Sequence, residues 1–145
     1  MRTHSALVAL ALVAVPTAAC SSDRSPEQAA GSDRSVTVTM TDNAYAPTRI
    51  EAKAGETVTF RFVNDGQATH EAYIGSQTDQ EDHAAEMMTG DDGHAMHMAG
   101  GDLVTVEPGQ DAELNATFDQ PGTVVIGCHQ PGHWESGMRA TVTVS

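Results

Sequence analysis

Aromatic residues are scarce in this chain of 145 residues: one tryptophan, two tyrosines and three phenylalanines. A core must therefore be assembled from Val, Ile, Leu and Ala, which suits a thin two-layer packing better than a large ligand cavity. Basic residues are also few. Seven Lys and Arg stand against twenty Asp and Glu, a formal charge of −13. Such a surface repels nucleic acid and anionic headgroups, which excludes nucleic-acid binding, and it steers cations or basic partners inward. No segment shows helical periodicity over ten residues, and no apolar run is long enough to span a bilayer. Cysteine is limited to Cys20 and Cys128, so at most one intramolecular disulfide is possible.

What is present begins with an export signal. Arg2 supplies a positive start, Ala6 to Val15 form a short apolar run, and Thr17-Ala18-Ala19 precede Cys20. Residues 1–19 thus read as a signal peptide of lipoprotein type, with Cys20 lipidated and a membrane contact made only through that anchor. An ordinary secretory signal is the alternative, since Thr-Ala-Ala also passes as a plain cleavage site. Either way the mature chain lies outside the cytoplasm: at the outer face of the cytoplasmic membrane, periplasmic or secreted. With Cys20 lipidated, Cys128 stands alone in an oxidising compartment, where an unpaired thiol is a liability unless a metal occupies it. A Cys20–Cys128 disulfide is the competing reading.

Residues 20–34 are rich in Ser, Asp, Gly, Pro and Gln and read as a flexible tether. The domain spans residues 35–145. Val36 to Met40 alternates apolar with polar, and Thr57 to Val63 puts Val58, Phe60 and Phe62 on one face. His70 to Ile74, Leu103 to Val106, Ala112 to Phe118, Thr123 to Cys128 and Arg139 to Val144 continue the series, with a short strand around Ile50. Ala54-Gly55, Pro108-Gly109 and Pro121-Gly122 supply the turns. About eight short strands predict an all-β, Greek-key antiparallel β-sandwich with one long inserted loop, residues 76–101.

The chemistry concentrates in Cys128-His129-Gln130-Pro131-Gly132-His133-Trp134-Glu135-Ser136-Gly137-Met138. A thiol, an imidazole and a thioether recur at steps of five, on the loop joining the last two predicted strands. A mononuclear copper site of the blue type takes one thiolate, two imidazoles and a long axial thioether. Pro131-Gly132 provides the bend that turns residues 128, 133 and 138 toward one centre. The second imidazole must come from elsewhere, and His70, after the Asn64-x-Gly66 turn, is the obvious donor. His129 lies beside Cys128 but points the other way along the strand, so it reads as outer-shell or surface. Zinc is the rival metal, although a thioether adds nothing for zinc.

At these residues the chain resembles the cupredoxin family. The C-x4-H-x4-M loop is similar to those of rusticyanin and auracyanin, and the N-x-G-x-x-x-H element of Asn64, Gly66 and His70 belongs to the same resemblance. It covers Ser35 to Ser145. What it implies is one type 1 copper, with His70, Cys128 and His133 equatorial and Met138 axial. One departure concerns the residue after the first His ligand. Many cupredoxins carry Asn or Ser there, tying the two ligand loops together; this chain carries Glu71.

Two functions fit such a site. One-electron transfer to a redox partner protein is the first. Copper tolerance, sequestration or delivery, with a copper-handling partner, is the second. The insertion motivates the latter, because His83, Met87, Met88, His94, Met96, His97 and Met98 form a set of candidate secondary Cu(I) contacts among six carboxylates. In this the chain resembles exported Met/His-rich cupredoxins linked to copper tolerance. An acidic loop with incidental methionines is the bland reading. Enzyme activity is not expected: His-x-His pairs for a trinuclear cluster are missing, and a binuclear site would need a second loop cysteine.

Overall fold

The computed structural model describes residues 34–89 and 102–145. The proposed signal peptide, Cys20 and nearly all of the tether lie outside the described residues, as do His94, Met96, His97 and Met98. Among the described residues, nine strands and one helix follow in order. They are β1 (Arg34–Thr41), β2 (Ala44–Ala46), β3 (Arg49–Ala52), β4 (Glu56–Asn64), β5 (His70–Gly75), α1 (Gln77–Thr89), β6 (Asp102–Val106), β7 (Asp111–Phe118), β8 (Gly122–Gly127) and β9 (Arg139–Val144).

The strands form two sheets, β2-β1-β4-β7 and β3-β9-β8-β5-β6. Most neighbours run antiparallel, but β1 pairs parallel with β4, and β3 parallel with β9. The expected sandwich is therefore present, with one more strand than the sequence suggested, because the turn-rich stretch 41–48 contains β2. Alternation sets the inner faces. Val58, Phe60, Phe62 and Asn64 of β4 are buried, opposed across the core by Ala140, Val142 and Val144 of β9 and by Ile126 of β8. Phe60 stacks near Phe62 and meets the edge of Phe118, so half of the six aromatic residues fill one layer.

Strand β5 breaks the pattern, since all six of its residues are buried. His70, Ala72 and Ile74 face the space between the sheets. Glu71, Tyr73 and Gly75 face outward and are covered by α1. The inserted stretch is thus not all loop, as expected, but opens with a helix of 13 residues. Its start is a capping box: Ser76 Oγ accepts from the Asp79 N–H at 3.2 Å, and Asp79 Oδ2 accepts from the Ser76 N–H at 2.7 Å. The helix has no apolar stripe because its inner face is polar. Gln80 is fully buried, and its amide nitrogen donates to the carbonyls of Tyr73 and Val125, both at 2.9 Å. Two glycines let the helix approach this closely. A Cβ on Gly75 would lie 2.8 Å from Asp79 Cβ, and one on Gly127 only 2.3 Å from Gln80 Oε1.

Candidate metal centre

Three neighbouring strands of the larger sheet bring the predicted donors together at one end. In β5–β8 pairing Tyr73 faces Gly127, and in β8–β9 pairing Gly127 faces Arg139. Cys128 therefore leaves β8 beside the start of β5, where His70 lies, and opposite Met138, which enters β9. The Cys128 N–H donates to the Met138 carbonyl at 3.2 Å. His70, Cys128 and Met138 are fully buried, whereas His133 is half-buried.

The loop between Cys128 and Met138 is two stacked turns. The His133 N–H donates to the Gln130 carbonyl at 2.9 Å across Pro131-Gly132, and Gly132 has φ +82°. Proline then glycine with positive φ is the requirement of a type II turn, so that dipeptide aims His133. The Met138 N–H returns to the His133 carbonyl at 3.0 Å, after Gly137 at φ +91°.

His70 is aimed by the Asn64-x-Gly66 element. Asn64 is fully buried: its Oδ1 accepts from the Gly66 N–H, and its amide nitrogen donates to the carbonyls of Ala68 and Val106, all at 2.9 Å. Asp42 Oδ1 accepts from the backbone of Gln67 and Ala68, and these two bonds hold its carboxyl below the usual range. The same oxygen lies 3.6 Å from His70 Nε2. Gly66 leaves room for that approach, because a Cβ there would sit 2.6 Å from Asp42 Oδ1 and 2.9 Å from His70 Nε2. With Nε2 turned to a carboxylate, Nδ1 is the lone-pair nitrogen that faces the centre.

There the donor atoms converge. His70 Nδ1 is 3.2 Å from His133 Nδ1, which is 3.3 Å from Cys128 Sγ, and all three donors lie within 4.8 Å of one another. An ion about 2.0–2.3 Å from each of several donors separates them by roughly this amount. Burial, and then the neighbouring His133, lower the affinity of His70 for a proton and keep it neutral. Burial likewise pushes the Cys128 thiol up, against the N–H groups of Glu71 and Gln130 that lower it. A neutral imidazole and a thiol whose proton a cation can displace suit metal binding. The residues present fit a copper ion, with His70, Cys128 and His133 as donors and Met138 buried in the same cluster.

A second cluster lies on the outer side of the same strands. Glu71, Gln80, His83 and His129 are all buried. Glu71 Oε1 accepts from the His129 N–H at 2.8 Å and from His83 Nε2 at 3.1 Å. Gln80 spends its amide nitrogen on carbonyls, so its Oε1 accepts from His129 Nε2 at 2.7 Å. His83 stacks on Tyr73 at 4.4 Å, and His129 stacks on Trp134 at 4.6 Å, with the Arg139 guanidinium 4.3 Å over the Trp134 ring.

Several expectations change here. His129 points away from the donors and, of the two places expected for it, takes the one behind the donors: it is buried, not at the surface. His83, placed among loop contacts for copper, is turned inward onto Glu71. Met87 and Met88 remain open, at 45% and 88% exposure. Glu71 ties the two ligand loops through the His129 N–H, the task the resemblance gave to Asn or Ser. Sequence reasoning missed Gln80 altogether, although the Ser76-x-x-Asp79 signature marked the start of its helix.

A two-sheet β-sandwich with one thiol and two imidazoles converging at the end of the larger sheet defines a class of metal-binding β-proteins. The chain belongs to the cupredoxin-like domain family, whose sequence pattern matches residues 6–144. It is 34% identical to the copper-resistant cuproprotein CopI of Pseudomonas aeruginosa, over 82% of this chain and 80% of that protein. It is 35% identical to the protein of the same name from Rubrivivax gelatinosus, over 82% of this chain and 71% of that protein. Among solved structures it resembles reduced auracyanin from Roseiflexus castenholzii (TM-score 0.69, 20% identity, 78% of this chain and 98% of that one). Auracyanin B is similar, with a TM-score of 0.65, 22% identity and coverage of 77% and 88%.

Proposed function

We propose that the protein binds one copper ion as a type 1 centre through His70, Cys128, His133 and Met138, and serves copper tolerance outside the cytoplasm. The observation that carries the copper assignment is the convergence of two imidazole nitrogens and a buried thiol within 4.8 Å. The tolerance reading is supported by relatives that carry copper resistance in their names and match most of both chains. Export rests on the leader of residues 1–19, with Cys20 as its lipid attachment point.

The bound copper would supply one-electron redox chemistry. His70 and Cys128, both buried, would hold it away from water, and half-buried His133 would be the donor nearest solvent. That half-buried edge favours one-electron transfer to a partner protein as the second reading. Neither role requires an enzymatic reaction.

Titration with Cu(II), read by visible absorption, tests the centre. An intense thiolate-to-copper band is expected, and Cys128→Ser should abolish it; a colourless wild-type protein would overturn the assignment. Growth of a host lacking the gene, on copper, separates the two roles. Restored tolerance by wild-type and not by Cys128→Ser supports copper handling through this centre. Unchanged tolerance in the deletion leaves electron transfer.

A further inference from the structure

Ligand geometry at a metal centre depends on what holds the ligands from behind. Here the residues next to two donors are held by side chains from outside the sandwich strands. Glu71 follows His70, and its N–H is turned to the Cys128 thiol. His129 follows Cys128, and its N–H is anchored on the Glu71 carboxylate at 2.8 Å. The second donor onto that carboxylate oxygen is His83 Nε2, and the acceptor for the His129 ring is Gln80 Oε1. Both His83 and Gln80 belong to α1. We infer that α1 is part of the copper centre's outer frame, with His83 and Gln80 as positioning residues that set the Cys128 thiol through Glu71 and His129.

The inference rests on the copper reading above but concerns a different element. A helix that merely covered the sheet would need apolar side chains on its inner face. This one instead presents an imidazole spent on Glu71 and an amide whose oxygen takes the His129 ring while its nitrogen holds the carbonyls of Tyr73 and Val125. The three rings of His83, His129 and Trp134 close the arrangement, with His83 edge-on to His129 at 5.0 Å and 88°. Ring packing restricts the rotamers of His83 and His129, which favours the observed hydrogen bonds.

The test uses the full chain with His83→Phe, His83→Gln, Gln80→Leu and, as a control, Ser76→Ala. His83→Phe keeps the ring stack and removes the bond to Glu71. His83→Gln retains a donor. Ser76→Ala loosens the helix start without touching Glu71 or His129. In the metal-free protein, exchange of the His129 amide should quicken about tenfold in His83→Phe relative to amides of β4, the effect expected from losing one such support. In the Cu(II) form, His83→Phe and Gln80→Leu should shift the relative intensity of the thiolate-to-copper bands. His83→Gln should return toward wild type, and Ser76→Ala should leave the bands in place. Bands and His129 exchange that are unchanged in both His83→Phe and Gln80→Leu would overturn the inference. If wild type shows no band, the copper reading falls, and the exchange arm alone decides whether α1 holds the loop. Should His83→Phe not fold, Gln80→Leu and His83→Gln carry the same comparison.

Discussion

The two faces of β5 hold clusters of similar composition and opposite logic. On the inner side, His70, Cys128 and His133 bring two imidazole nitrogens and a thiol to within a few ångströms, while His70 Nε2 turns away from them toward the Asp42 carboxylate. On the outer side, Glu71, Gln80, His83 and His129 match donor to acceptor in sequence, from the His83 ring to the Gln80 amide. Acceptors that face one another call for a cation; acceptors that face donors do not. Counting imidazoles would have ranked both clusters as metal sites. Pairing their atoms distinguishes them.

The sharpest break of the comparison is to remove an imidazole from each. His70→Gly and His133→Gly should both abolish the coloured Cu(II) complex. Added imidazole should restore it in His133→Gly, where the ring reaches solvent, and not in the sealed His70→Gly; equal rescue in both would mean that the burial difference has no consequence. His129→Gln, on the outer side, should keep the colour without rescue.

Proton release is the next largest effect. The Cys128 thiol is pushed up by burial, so at neutral pH it must give up its proton when an ion binds. Calorimetry in two buffers should find about one proton released per Cu(II), and affinity falling about tenfold per pH unit on acidification. The metal-free fold responds through His70 and His129, whose proton affinities are both lowered, chiefly by burial. A lowered folded value means that the unfolded chain binds more protons, so stability present above about pH 6.5 is lost as pH falls below it. Urea midpoints of the metal-free protein that do not drop there would contradict this.

Gly127→Ala crowds the outer side first. Its Cβ would meet Gln80 Oε1 at 2.3 Å and Trp134 at 2.8 Å, so the helix or the loop must move. A loss of about 1–3 kcal/mol in urea unfolding is expected, with copper still bound. Smallest is Ser76→Ala, which removes one side of the capping box and should cost about 1 kcal/mol. A cost near zero would show that Gln80, rather than the cap, holds α1 in place.

Much of this is readable along the chain. Strict alternation in Val58, Phe60 and Phe62 announces β4, and the spacing of Cys128, His133 and Met138 marks the donor loop. Those signals are local: a period of two places side chains on a face, and Pro131-Gly132 carries its own turn. The helix is not readable by the same means. Its inner face is polar, so apolar periodicity cannot report it, and only the capping pair Ser76 and Asp79 hints at its start.

What neighbours do across space belongs to the tertiary structure. Spacing names His70 as the missing imidazole, but the pairing of β5 with β8 is what brings it to Cys128. Glu71 looks like a departure from a pattern until His129 and His83 are found on its carboxylate. His83 looks like a loop ligand until the helix turns it inward. The physical reason is common to all three. A side chain's identity limits the bonds it can make, while the partner is chosen by strand register and helix docking between residues far apart in sequence.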